Sequence, residues 1–74
     1  MGASGFNTRL RAARDRLGLT REYVATYLGC NTSTLKRWER GEFEPSISML
    51  VRLADLYGVT ANYLVHGTKN GNAA

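Results

Sequence analysis

One cysteine, one proline, one histidine and one tryptophan are all the chain of 74 residues holds of those types. Cys30 has no second cysteine to pair with, so no internal disulfide staples the fold, and a reducing compartment is expected. A lone cysteine and a lone histidine, His66, are too few for a metal site, and neither a metal nor a cofactor is expected. No apolar run approaches the roughly 18 residues that cross a bilayer. The N-terminus, MGASGF, lacks the charged and apolar regions of a signal peptide, so the expected location is cytoplasmic, with no membrane partner. Nothing pairs a nucleophile with a base or forms a glycine loop for phosphate, so the sequence shows no catalytic apparatus and no small-molecule substrate. Acids are scarce as well, 6 against 10 Lys and Arg, for a net charge of +4.

The remaining composition is that of one ordinary globular domain, 43% apolar. A chain this short buries only about 60% of its unfolded surface, so its core is small. The charge is unevenly placed. Residues 1–40 carry Arg9, Arg11, Arg14, Arg16, Arg21, Lys36, Arg37 and Arg40 against Asp15, Glu22 and Glu39. Residues 41–74 carry Arg52 and Lys69 against Glu42, Glu44 and Asp55. A basic half points to a polyanionic partner, with a merely soluble basic surface as the alternative.

Helical spacing of apolar residues runs from Phe6 onward, and no strand pattern competes with it. Residues 1–5 read as a disordered N-terminus, 6–67 as the domain and 68–74 as a flexible polar tail. A first helix carries Phe6, Leu10, Ala13 and Leu17, capped by Asn7 or Thr8 and stopped by Gly18. Thr20 caps a second, with Val24, Ala25 and Leu28, stopped by Gly29. Asn31 caps a third, with Leu35 and Trp38, ending at Gly41. Pro45 marks a loop. Ser46 then caps a fourth helix with Ile47, Leu50, Leu53, Ala54 and Tyr57 on one face, ending at Gly58. Thr60 caps a short fifth with Tyr63 and Leu64, closed by Gly67. The expected fold class is therefore all-α, a compact five-helix bundle.

The informative stretch is Arg21 to Arg40. Two short helices meet across Gly29-Cys30-Asn31, and Gly29 supplies the positive φ of a tight corner. Ala25 is small enough for a close crossing one turn earlier. Val24, Leu28, Leu35 and Trp38 face inward and fix the angle. This is helix-turn-helix geometry, in which the second helix enters a DNA major groove. Arg14 and Glu39 fall on apolar stripes, where a charge is costly unless paired, so an Arg14–Glu39 ion pair is expected between the first and third helices. The alternative is that each reaches water separately.

From about Leu10 to Gly67 the chain resembles the Cro/CI-type (XRE-like) helix-turn-helix family of phage and bacterial repressors. The matching residues are Arg14, Leu17-Gly18-Leu19-Thr20, Ala25, Leu28-Gly29, Leu35, Trp38-Glu39-Arg40-Gly41, Pro45, Leu50, Leu53-Ala54, Tyr57-Gly58-Val59 and Leu64. The resemblance implies a lambda-repressor-like domain whose third helix recognises double-stranded DNA, and a homodimer on a near-palindromic operator. It implies DNA contacts from Thr32, Ser33, Lys36, Arg37 and Arg40. Arg37 is the foremost base reader, since a guanidinium can bridge guanine O6 and N7. Asn31 is expected to cap the helix and touch phosphate. Many relatives have glutamine where this chain has Arg21, which reads as a phosphate clamp beside a helix N-terminus.

Other residues have plainer readings. Trp38 is core, and Cys30 is a turn residue. Tyr23 and Tyr27 share a partly exposed surface. His66 suits the negative end of the fifth helix. Arg9, Arg11 and Arg16 form a solvated face, with Arg9 the nearest to DNA. A dimer formed by the domain itself would use the fifth helix and its flanks, Val59, Tyr63 and Val65. The alternative function is a protein-binding module, an antitoxin or adaptor, using the same fold.

Overall fold

The computed structural model describes residues 5–67, and among these it contains five helices and no strand. They are α1 (Phe6–Arg16), α2 (Arg21–Leu28), α3 (Thr32–Glu39), α4 (Ile47–Tyr57) and α5 (Ala61–His66). The expected disordered N-terminus and flexible tail lie outside the described residues, except for Gly5, which holds the N-cap position of α1.

Three of the expected caps form. The hydroxyls of Thr20, Ser46 and Thr60 accept from the backbone N–H groups of Tyr23 (3.0 Å), Met49 (3.2 Å) and Tyr63 (2.9 Å). Each satisfies a donor that has no partner inside its own helix. Glycines 18, 29, 41, 58 and 67, read as stops, all have positive φ. The cap assignment at α1 is corrected. The helix begins before Asn7 and Thr8, so both lie in its first turn, and Asn7 Nδ2 instead donates to the Glu39 carbonyl at 3.5 Å. Asn31 occupies the N-cap position of α3 without a side-chain cap bond.

The core gathers Leu10 and Ala13 of α1, Val24 and Leu28 of α2, and Leu35 and Trp38 of α3. Leu53, Ala54 and Tyr57 of α4 and Leu64 of α5 complete it. Helix α3 packs on α1 and α2, while α5 bridges α1 and α4. Leu17 departs from its expected stripe and is 48% exposed. The helix has ended by then, and Leu19, past the Gly18 turn, packs against the core instead. Ile47 is 81% exposed. Met49 and Leu50 of the same turn of α4 pack partly against the core, and Leu50 lines a cavity of about 120 Å³ with Phe6, Glu44, Pro45 and Val65. That is small beside the roughly 300–1,000 Å³ of pockets for drug-sized ligands.

Two arginines tie the helices at their ends. Arg9 of α1 donates from Nε to the Leu64 carbonyl (3.0 Å) and from Nη2 to that of Val65 (2.8 Å). Arg52 of α4 donates to the carbonyls of Leu28 and Tyr27, both at 3.2 Å. Each brings a cation to a helix C-terminus, where unpaired carbonyls and the helix dipole favour it. Arg9 therefore docks α1 on α5 rather than extending from a solvated face, at the same helix end where His66 sits in the last turn.

Tyr57 is buried, and its hydroxyl has no hydrogen-bond partner among the described residues. Burial pushes its phenol up from the ordinary 10.0, with the nearby Glu39 charge adding to the rise and Arg14 opposing it. The native state thus holds this proton more tightly than the unfolded chain does. The contribution is complete below about pH 10 and is lost as pH rises further, because the unfolded chain ionises first. Tyr57→Phe removes an unpaired polar group whose burial costs about 1–3 kcal/mol. Its stability in urea at pH 7 should equal or exceed that of the parent, and its alkaline fall should be shallower. A loss above about 1 kcal/mol at pH 7 would contradict an unpaired hydroxyl.

Candidate nucleic-acid interface

The corner between α2 and α3 is built by backbone bonds. Gly29, at φ +77°, turns the chain, and the Cys30 N–H returns to the Ala25 carbonyl at 2.9 Å. A side chain at that φ would be strained, although a Cβ there would meet nothing within 4 Å. Ala25 is buried at the corner, and Leu35 on α3 is fully buried against the core. Arg52 holds the last α2 carbonyls from the other side, so the corner is fixed on both flanks. Cys30 is half-buried beside the core, and desolvation raises its thiol pKa, with Arg52 pulling the other way.

The expected ion pair is present and is larger than expected. Arg14 Nε donates to Glu39 Oε2 at 2.7 Å, and Nη2 donates to Oε1 at 3.1 Å. The two side chains are only 9% and 1% exposed. Arg14 Nη1 also donates to the Leu19 carbonyl at 2.8 Å, and Nη2 lies 3.5 Å from Asp15. Hydrogen bonding to Glu39 raises the Arg14 pKa against the opposing effect of burial. Arg21 joins the pair, with Nε donating to Glu39 Oε1 at 2.9 Å. One carboxylate therefore receives two arginines, and the first turn of α2 is tied to the last turn of α3. An ionised carboxylate has roughly four lone-pair sites, which leaves room for this third donor.

Arg21 is 30% exposed, with no hydrogen bond among the described residues from its two Nη groups. The site residues expected on the third helix all fall on α3 or its cap. Asn31, Ser33, Lys36, Arg37 and Arg40 are exposed, and Thr32 is half-buried. Ser33, Lys36, Arg37 and Arg40 are spaced i, i+3, i+4 and i+7, which sets them on one face. Leu35, Trp38 and Glu39 occupy the opposite, buried face. Arg40 pairs with Glu42 at 3.1 Å across the end of the helix. The Arg37 guanidinium lies over the Phe43 ring, 5.5 Å from its centroid.

Two contacts have no local signal in the amino-acid sequence. Arg52 of α4 lies over Tyr27 of α2 at 5.9 Å, which depends on the packing of the two helices, and the contact of Phe43 with Arg37 depends on the turn after α3. Tyr23 is exposed, as expected of a partly exposed surface. Among the described residues no group of three or more His, Cys, Asp or Glu side chains could hold a metal. No described helix is long and apolar enough to cross a membrane.

The helix-turn-helix family profile matches residues 10–64. The chain is 30% identical over 63 residues to the SPbeta prophage-derived HTH-type transcriptional regulator YonR of Bacillus subtilis, covering 85% of this chain and 58% of that protein. It is 33% identical to the HTH-type transcriptional regulator ImmR of the same organism, covering 77% and 45%. The chain thus spans about half the length of these relatives. Among solved structures, the P22 c2 repressor, crystallised with a synthetic operator, superposes with a TM-score of 0.81 at 27% identity, over 85% of this chain and 96% of that one. The apo-HppE structure superposes at a TM-score of 0.75 and 28% identity, with 35% of its own length covered. The chain belongs to the helix-turn-helix family, of the Cro/CI type.

Proposed function

We propose that this domain binds double-stranded DNA sequence-specifically in the cytoplasm, as a transcriptional repressor or regulator, with α3 in the major groove. The carrying observation is the exposed face of α3, where Ser33, Lys36, Arg37 and Arg40 project from a helix fixed by Leu35, Trp38 and Glu39 beneath. A single basic face on a rigid helix suits phosphate attraction and base-edge reading together. The likeness to a repressor crystallised with its operator supports the same reading. A protein partner, as for an antitoxin or adaptor, would favour an apolar or acidic face there.

Within this reading Thr32 and Ser33 approach base edges and Arg37 reads a base, while Lys36 and Arg40 hold base or backbone. Asn31 stands at the entry of α3 to touch phosphate. Glu39 anchors Arg21 by its Nε, which leaves the Nη groups for a phosphate at the start of α2. Arg21→Ala should weaken all sequences alike and flatten the slope of log affinity against log salt by about 0.9. Fluorescence anisotropy from about 50 to 200 mM salt measures it. A changed base preference would instead place Arg21 at a base edge.

The domain binds as a homodimer on a near-palindromic site. Val59 and Tyr63, expected at the dimer contact, pack partly against the core. Val65 is exposed, as are Ile47 and Val51, one turn apart on α4. Leu50, on the same helix, shares the cavity at Pro45 with Val65, so these side chains offer an apolar patch for a second copy. Ile47→Glu should leave the melting temperature unchanged and abolish the preference for a full palindrome over one half-site. Equal binding losses on both DNAs would place Ile47 elsewhere in function.

A further inference from the structure

Arg37 combines two properties on the exposed face of α3. Its guanidinium is located over the Phe43 ring, yet no hydrogen bond or ion pair among the described residues engages it. At 5.5 Å from the centroid the ring can meet the flat face of the guanidinium. The N–H donors lie around its edge, which is where a guanine would be bridged.

Phe43 is brought there by the way α3 ends. Arg40 is the C-cap, and Gly41 turns the chain at φ +78°. The Gly41 N–H then donates to the Trp38 carbonyl (3.2 Å), and the Glu42 N–H donates to the Arg37 carbonyl (2.9 Å). This pair of bonds is the Schellman arrangement, which folds the following residue back over the last turn. The turn is also pressed onto α1, since a Cβ on Gly41 would lie 3.3 Å from Asn7 Cγ. The Arg40–Glu42 pair spans it on the outside. The ring therefore rests on a defined turn, although Phe43 is itself 59% exposed.

We propose that Phe43 is a positioning residue for the Arg37 guanidinium, and through it a determinant of which base pair α3 prefers. This rests on the reading of Arg37 as a base contact. An unrestrained arginine on a helix surface samples many rotamers, and ordering it on DNA weakens binding. A ring beneath it selects conformers before DNA arrives. Lys36 and Arg40, on the same face, have no ring partner among the described residues.

The test compares base preferences of the parent with those of Phe43→Ala, Phe43→Leu, Phe43→Tyr, Arg37→Ala and the Arg37→Ala/Phe43→Ala double variant. Each is selected on a randomised duplex pool, and its selected sites are then titrated. Because Phe43 is exposed, its variants should melt with the parent. Phe43→Ala and Phe43→Leu should each lower discrimination at the Arg37 base pair by about two- to five-fold, the size of an exposed cation–π contact. Phe43→Tyr, which keeps the π face, should retain it, and the double variant should match Arg37→Ala alone. Undiminished discrimination in Phe43→Leu would overturn the proposal, as would an equal loss at every position or a sharper preference in Phe43→Ala. If Arg37→Ala itself flattens no position, the base-reading role falls and the proposal falls with it. If only Arg37→Ala has an effect, the positioning role alone is refuted.

Discussion

Arg14→Ala should lose about 3 kcal/mol or more of unfolding free energy, enough to leave the domain largely unfolded on modest warming. Removing one member of a buried pair costs about 3–5 kcal/mol, because the other charge stays behind without its partner. Glu39 is 1% exposed and cannot move to water. It would keep the Arg21 bond at 2.9 Å, which places the expected loss toward the lower end of that range. Arg14 also closes the α1 to α2 connection through the Leu19 carbonyl, and that acceptor would be left open. A domain of about 63 residues has roughly 3–9 kcal/mol in total. The loss therefore consumes a large share, and the melting temperature should fall by about 12–24 °C. Urea and thermal unfolding followed by circular dichroism give both numbers. The double replacement Arg14→Met with Glu39→Leu should recover much of the loss, since apolar isosteres often match a buried pair. A loss under roughly 0.5 kcal/mol for Arg14→Ala, the size of a surface change, would show that the pair does not hold α1 to α3.

Arg37→Ala should have the largest effect on recognition and almost none on stability. Its side chain is exposed and makes one ring contact, so unfolding should change by less than about 0.5 kcal/mol. On the selected DNA it should remove about 1–3 kcal/mol of discrimination at one base pair per half-site, the worth of a bidentate arginine–guanine contact. Preferences at the other positions should persist, because Thr32 and Ser33 stand one turn earlier on α3. Comparing selected sites for parent and variant separates the roles. Relaxation at one position marks a base reader, whereas a uniform fall across all sequences marks a phosphate contact.

The helices were legible because their boundaries are local. Thr20, Ser46 and Thr60 each accept from the residue three positions on, and the stop glycines act within one turn. The helix-turn-helix was legible for the same reason, since Ala25, Gly29 and the Leu35–Trp38 stripe lie within 14 residues. The Arg14–Glu39 pair was legible despite its distance in sequence, because a charge on an apolar stripe demands an opposite one. What was hidden has no such local demand. Arg9 and Arg52 reach carbonyls 55 and 24 residues away, and any exposed arginine would look the same in sequence. Leu17 satisfied the helical period but fell one residue past the helix end. Ile47 satisfied it too, but as the first residue of α4 it stays exposed, while Met49 and Leu50 in the same turn reach the core. The third donor on Glu39 was hidden because Arg21 reads as a surface cation beside a helix N-terminus.

Selection of the domain on a randomised duplex pool at about 150 mM salt tests the central claim most directly. The account predicts one enriched near-palindrome whose half-sites lie about one helical turn, roughly 34 Å, apart. Recovery of DNA without any enriched sequence, from a folded and soluble domain, would contradict it.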